Sequence, residues 1–313
     1  MNKYIPDYHW SNVFAMLRNL NAEPRICTAP LNHHLVVITG ATSGIGYATA
    51  KKYASRGADL LFVNRNEEKS IQLCEALRDA YNANCDYLLA DFSRLADVHF
   101  AAEKLSKLDR EIGILIHNAG VYNTHRLITS DHLEAVFQTN YLSTFILNYS
   151  LREKFRNQAG GRILFVNSEA YRFAAFGLNL DDLLWQKRRY SGLMSYGSAK
   201  LAQLLSMLKF NDDYTGSGVT INAMHPGNVK TNSGQNNGLI YKFFKQLVLD
   251  RNTQPVDFAA EALYYLGVSD EVTARSGKFF NLTTEEEPAP PALDREVAEE
   301  LWQISLKLGG LHA

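Results

Sequence analysis

The sequence predicts one doubly wound α/β domain: a parallel sheet with helices on both faces. Three observations carry this. Short apolar runs alternate with helical stretches from Leu35 to Phe280, and that alternation implies parallel strands joined by helical crossovers. The runs are apolar throughout rather than at every second residue, as strands buried on both faces require. A Gly-rich turn, Thr39-Gly40-Ala41-Thr42-Ser43-Gly44-Ile45-Gly46, joins the first run to the first helical stretch.

Taken in order, residues 1–34 form an N-terminal helical extension. Trp10, Val13, Phe14 and Leu17 have helical spacing, with Asp7 or Ser11 as a cap and a loop around Pro24 and Pro30. Packing on the main domain is the plainer reading; a lid or partner-binding arm is the other. The main domain, 35–313, opens with the strand Leu35-Val36-Val37-Ile38, and a helix follows from about Ile45 to Ser55, stopped by Gly57. A second run, Leu60-Leu61-Phe62-Val63, ends in Asn64-Arg65, and a charged helix over about 67–80 leads to Tyr87-Leu88-Leu89-Ala90-Asp91. A helix over about 94–108 precedes Ile114-Leu115-Ile116-His117-Asn118, and a long helical stretch, about 131–157, precedes Arg162 to Ser168. The helix bearing Tyr196 and Lys200 leads to Val219-Thr220-Ile221-Asn222-Ala223-Met224, and Lys278-Phe279-Phe280 reads as the last strand. Glu285-Glu286-Glu287-Pro288-Ala289-Pro290-Pro291 reads as a solvated loop. The final helix, about 293–308, sets Val297, Leu301, Trp302 and Leu308 on one side as core packing. Right-handed crossovers place the strand C-termini, and any ligand, along one edge.

The totals narrow the class. At 313 residues and 46% hydrophobic, the chain can bury a sizeable core as one large domain or two small ones. A net charge of −1 without a basic cluster argues against nucleic acid or an anionic membrane as the main partner. Three Cys, odd in number and widely spaced, suit a reducing compartment and form no disulfide framework; nine His without an HExxH pair predict no metal site. No apolar run follows the Lys of MNKYIPDYHW as in a signal peptide, and none approaches the roughly 18 residues of a membrane span. The cytoplasm is the default location, and a peripheral membrane contact stays open.

Two motifs carry chemistry. Tyr196 and Lys200, four apart on a helix, share a face. A nearby ammonium stabilises a phenolate, so the pair can move a proton to or from a bound alcohol or carbonyl. The plainer alternative is an amphipathic helix with a surface Lys. In the Gly-rich turn, Gly40, Gly44 and Gly46 permit positive φ and close backbone approach. The helix N-terminus behind Thr42, Ser43 and Ile45 offers N–H groups to a phosphate.

A TGxxxGxG turn with a later YxxxK resembles the short-chain dehydrogenase/reductase family, over about Leu35 to Phe280. The resemblance implies a Rossmann-type fold and an NAD(P)-dependent oxidoreductase. Asn118-Ala119-Gly120 is similar to the family's NAG motif, which supports the sheet and lines the cofactor cleft. Asn140 and Ser168 match its catalytic Asn and Ser, beside Tyr196 and Lys200. Asp91 matches the acidic residue beside the adenine. Pro226, Gly227, Val229 and Thr231 match the stretch contacting the nicotinamide. The long segment between Ser168 and Tyr196, with Leu183 and Tyr190-Ser191-Gly192, and the tail from Ala298 to Ser305 resemble the retinol-dehydrogenase-like branch. Asn167 departs from the Ser often found there.

The resemblance implies that Ser168 holds the substrate oxygen and Tyr196 exchanges the proton. Lys200 lowers the Tyr196 pKa and bonds the nicotinamide ribose, while Asn140 distorts its helix and holds a water toward Lys200. Asn64 stands where an acidic residue would select NAD. Arg65 follows, and its guanidinium suits the 2′-phosphate of NADP(H), the cofactor expected. A solvent-facing Arg65 is the alternative.

Aromatic segments over 170–195 (Tyr171, Phe173, Phe176, Trp185, Tyr190) and 228–252 (Tyr241, Phe243, Phe244) suggest a lipophilic or ring-bearing carbonyl or alcohol substrate, or else core packing. Lys242, Lys245 and Arg251 face either an acidic substrate group or solvent. The helices near 131–157 and 196–210 either pair two subunits as a homodimer or pack on the sheet. Two competing functions are a catalytically silent NADP-binding protein and a reductase of activated C=C bonds.

Overall fold

The computed structural model describes residues 3–9, 22–229 and 254–312. The helix expected around Trp10 to Leu17, the aromatic and basic residues from Tyr241 to Arg251, and Thr231 lie outside the described residues.

The eight strands form one sheet in the order β3-β2-β1-β4-β5-β6-β7-β8. They are β1 Leu35–Thr39, β2 Asp59–Asn64, β3 Cys85–Leu89, β4 Ile114–His117, β5 Gly161–Val166, β6 Val219–His225, β7 Phe279–Asn281 and β8 Thr284–Glu286. Every pairing is parallel except β7 with β8. The order reverses between β1 and β4, the place at the strand C-termini where such sheets take their ligands.

Helices cover both faces, as the uniformly apolar strands require. β1 alternates between the two layers: Leu35 and Val37 join one core, Val36 and Ile38 the other. On one face lie α1 Gly44–Ala54, α2 Glu67–Tyr81 and α6 Val256–Val268; on the other lie α3 Leu95–Ser106, α4 Ser143–Asn157, α5 Gly192–Asp213 and α7 Arg295–Leu308. Leu301 and Trp302 of α7 are buried, with the Trp302 ring edge-on to Phe145 of α4 and Phe210 of α5. The stripe read as core packing is core packing. The predicted helix bounds hold to within a few residues. The exception is the stretch from 131, which becomes helical only at Ala135–Phe137 and passes through a π segment, Gln138–Leu142, before α4. Among the described residues, no helix is long and apolar enough to cross a membrane.

Two expectations are overturned. Glu285 and Glu286 are not in a solvated loop but form β8, and Lys278-Phe279-Phe280 does not mark the last strand. The hairpin turns at Leu282, whose φ of 51° is left-handed, and Leu-Thr is not a sequence that announces such a turn. Glu286 is buried and ion-paired to Arg172, so its charge is met inside the protein rather than by water.

The described part of the extension packs on the main domain. The Tyr4 hydroxyl donates to Asp294 at 2.7 Å and the Tyr8 hydroxyl to the carbonyl of Ala175 at 3.0 Å.

Candidate active site

The glycine turn leaves β1 and enters α1 at the β1–β4 reversal. Gly40 and Gly44 have φ of 69° and 57°. A Cβ on Gly46 would lie 2.3 Å from the Gly40 carbonyl and 2.5 Å from Asn118 Nδ2, so only glycine fits. Asn118 fastens the turn: its Nδ2 donates to the carbonyls of Thr39 (3.1 Å) and Gly40 (2.7 Å). Thr39 Oγ1 accepts from the backbone N–H of both Asn118 and Ala119, each at 3.0 Å. Ser43 stands at the N-cap of α1 without a side-chain capping bond, and nothing lies within 4 Å of a Cβ built on Gly44. The first-turn N–H groups thus have no side-chain cap among the described residues, as a phosphate site at a helix N-terminus requires.

Asn64 and Arg65 divide the work expected of them. Asn64 is buried; its Oδ1 accepts from Ala41 N at 2.8 Å and its Nδ2 donates to Ser70 Oγ at 3.1 Å. It braces the turn from within and does not present its side chain to a ribose. Arg65 is exposed and makes no hydrogen bond or ion pair among the described residues. Asp91 lies in the loop after β3, with Oδ1 accepting from Ser93 N and Oγ at 2.9 and 2.8 Å. Gly120 sits against Asn140, 3.3 Å from Asn140 Oδ1 to a Cβ built there. Pro226 and Gly227 follow β6; Gly227 has φ 76°, and Val229 N returns to the Gly227 carbonyl at 3.0 Å.

The groups expected to handle the proton lie on and beside α5. Lys200 is 4% exposed, with Nζ 5.6 Å from the Tyr196 ring centroid. The Tyr196 ring also meets the ring of Tyr122 edge-on at 5.8 Å. Lys200 Nζ donates to the Val166 carbonyl at 2.8 Å and to Gln203 Oε1 at 3.2 Å. Burial pulls the Lys200 pKa from 10.5 down to about 7, while two acceptors on the ammonium act in the opposite sense. Ser168 follows β5; its Oγ accepts from Ala170 N at 3.2 Å and caps the turn Glu169–Ala174. That turn lies directly on α5, where a Cβ on Gly197 would be 2.5 Å from the Ala170 carbonyl.

Asn140 lies in the π segment and is fully buried. Its side chain clasps Val121, accepting from N at 2.7 Å and donating to O at 2.9 Å. The expected distortion of its helix is present. Its carbonyl accepts from Gln203 Nε2 at 2.7 Å.

Sequence reasoning missed Gln203, Asn167 and Glu134. Gln203 had a signal: it continues the Tyr196–Lys200 stripe three residues on. Asn167, passed over as a departure, donates to the Lys200 carbonyl at 3.0 Å and accepts from Ser168 N at 2.8 Å. Glu134 is buried, and its carboxylate accepts from Tyr190 Oη and Ser195 Oγ, both at 3.2 Å, and from two backbone N–H groups. It ties the start of α5 to the π segment. Of the aromatics assigned to a pocket, Tyr171 and Trp185 are buried, while Phe173 and Phe176 are exposed.

The family model described as short chain dehydrogenase matches residues 34–179. Retinol dehydrogenase 13 of Homo sapiens is 34% identical over 283 residues, spanning 89% of this chain and 85% of that protein. Among solved structures, an uncharacterised protein from Mycobacterium paratuberculosis has a TM-score of 0.71 at 28% identity, covering 91% of this chain and 96% of its own. A short-chain dehydrogenase from Sphingobium yanoikuyae in complex with NADPH has a TM-score of 0.62 at 26% identity, covering 74% and 83%. A glycine turn at the sheet reversal, a Tyr–Lys helix packed behind β5 and a relative matching along nearly the whole chain lead to one conclusion: this chain belongs to the short-chain dehydrogenase/reductase family, in its retinol-dehydrogenase-like branch.

Proposed function

We propose that this protein is an NADP(H)-dependent oxidoreductase interconverting a carbonyl and a primary or secondary alcohol on a lipophilic or ring-bearing small molecule. The observation that carries the reading is Lys200, buried beside the Tyr196 ring with its Nζ held by the Val166 carbonyl and Gln203 Oε1. A cation held there has no role in packing that a Leu or Met would not serve better, whereas it favours a phenolate on the same helix face.

The cradle fits a dinucleotide. The N–H groups at Gly44 to Gly46 would take the pyrophosphate, and Asp91 would lie on the adenine side. Pro226, Gly227 and Val229 would border the nicotinamide. Arg65, exposed and without a partner among the described residues, suits a 2′-phosphate. The cofactor, when bound, supplies or accepts the hydride. Tyr196 gives its phenolic proton to the carbonyl oxygen in reduction and removes it in oxidation. Ser168 donates a hydrogen bond to that oxygen and orients it. Lys200 stabilises the phenolate, and the Asn140 clasp on Val121 holds the strand-end loop in place. The relative named retinol dehydrogenase and the neighbour solved with NADPH support this choice of chemistry and cofactor.

The test is a panel of aromatic and isoprenoid aldehydes and ketones, retinaldehyde first, with NADPH and NADH. Turnover with NADPH to the alcohol is expected. No turnover of any carbonyl, or product reduced only at C=C, would overturn the reading. Arg65→Ala is expected to raise the Kd for NADPH roughly tenfold or more, the scale of losing a charge-assisted bond, with NADH binding unchanged; equal effects on both would remove Arg65 from the 2′-phosphate.

A further inference from the structure

Gln203 is 1% exposed and every polar atom of its amide is engaged. Oε1 accepts from Lys200 Nζ at 3.2 Å and from Asn167 Nδ2 at 3.1 Å; Nε2 donates to the Asn140 carbonyl at 2.7 Å. The orientation of this amide is not free. An ammonium only donates and a carbonyl only accepts, so a flipped amide would set NH₂ against Nζ and oxygen against oxygen. Tyr196, Lys200 and Gln203 lie at i, i+4 and i+7 on α5, one stripe facing the β5 end and the π segment. Asn167 closes the circuit by bonding both Gln203 and the backbone of Lys200.

Resting on the reading of Tyr196 and Lys200 above, we propose that Gln203 is a positioning residue: it fixes the Lys200 ammonium beside Tyr196 and sets its charge by supplying one of two protein acceptors. An ammonium has three N–H donors. The Val166 carbonyl and Gln203 Oε1 take two, leaving one for the side shared with Tyr196. Without Oε1, a buried cation loses an acceptor, its neutral form gains, and the phenolate it supports weakens. A packing role alone predicts none of this, because an apolar residue of similar volume would satisfy packing.

The experiment compares wild type with Gln203→Leu, Gln203→Glu, Tyr196→Phe and Lys200→Met. Cofactor-free urea unfolding is measured from pH 5.5 to 10, together with the pH profile of alcohol oxidation with NADP. Gln203→Leu is expected to move the low-pH edge of the Lys200-linked stability rise downward by about one unit. It should also shift the oxidation profile to higher pH by a similar amount and lower kcat roughly tenfold, leaving KM for the alcohol within about twofold. Gln203→Glu, which sets a carboxylate against Nζ, is expected to move the unfolding edge upward; this second variant carries the test where the first does not fold. Stability lowered equally at every pH in both variants, with the oxidation profile unmoved, would overturn the proposal. Wild-type turnover in Tyr196→Phe and Lys200→Met would instead strike the parent reading. Silence in those two beside an unmoved Gln203→Leu profile would strike this proposal alone.

Discussion

Lys200 shows how one buried residue ties stability to chemistry. Its folded pKa of about 7 lies below the ordinary 10.5. Between those values the unfolded chain holds a proton that the folded chain lacks, so stability rises with pH across that window and is lowest below it. Lys200→Met removes the linkage. Urea unfolding is expected to show wild type gaining on the variant from pH 7 to 10, and parallel curves would contradict it. Residue-scale contacts were legible in the sequence where partners lie close along the chain. Tyr196 and Lys200 are a turn apart, and their spacing alone places them together. Gln203 shares that spacing, yet its partners Asn140 and Asn167 arrive from other elements, and no periodicity reveals them. Asn64 was placed correctly at the end of β2, but its inward bond to Ala41 depends on the folded turn and was not readable.

At the scale of elements, two close approaches set the site. Asn118 and Gly46 lock the glycine turn against β4, and Gly197 lets α5 settle on the turn that Ser168 caps. A methyl at Gly197 meets the Ala170 carbonyl at 2.5 Å, a backbone atom that cannot simply rotate away. Gly197→Ala is therefore expected to cost about 1–3 kcal/mol of stability, the usual scale of overpacking. It should also lower turnover by moving Ser168 relative to Tyr196. Thermal unfolding and kcat measured together check this, and a variant with both at wild-type values would refute the contact. Strands β1, β2, β4, β5 and β6 were legible because continuous apolar runs admit few other fates. The π segment and the β7–β8 hairpin were not. The former depends on Asn140 bonding across to Val121. The latter turns on Leu282, and burial of Glu286 requires Arg172 from 114 residues away in sequence.

Across the whole molecule, the reversal of strand order between β1 and β4 gathers the parts. The turn after β1, the loop after β4 and the residue after β5 all come to one edge, and α5 packs behind them. Alternate residues of the central strands feed two separate cores, so the edge rests on a sheet held from both sides. The family was readable from motifs that this topology brings together, whereas the substrate was not, since the aromatics divide between core and surface. The central claim is that Tyr196 moves the proton. Its most direct test is a single-turnover measurement of NADPH oxidation by retinaldehyde, or by the fastest carbonyl of the panel, in wild type and Tyr196→Phe. NADPH affinity is determined alongside. The account predicts that the variant binds NADPH within about twofold of wild type while its rate falls by about 10²–10⁴, the worth of a positioned general acid. A variant that oxidises NADPH at the wild-type rate would contradict it.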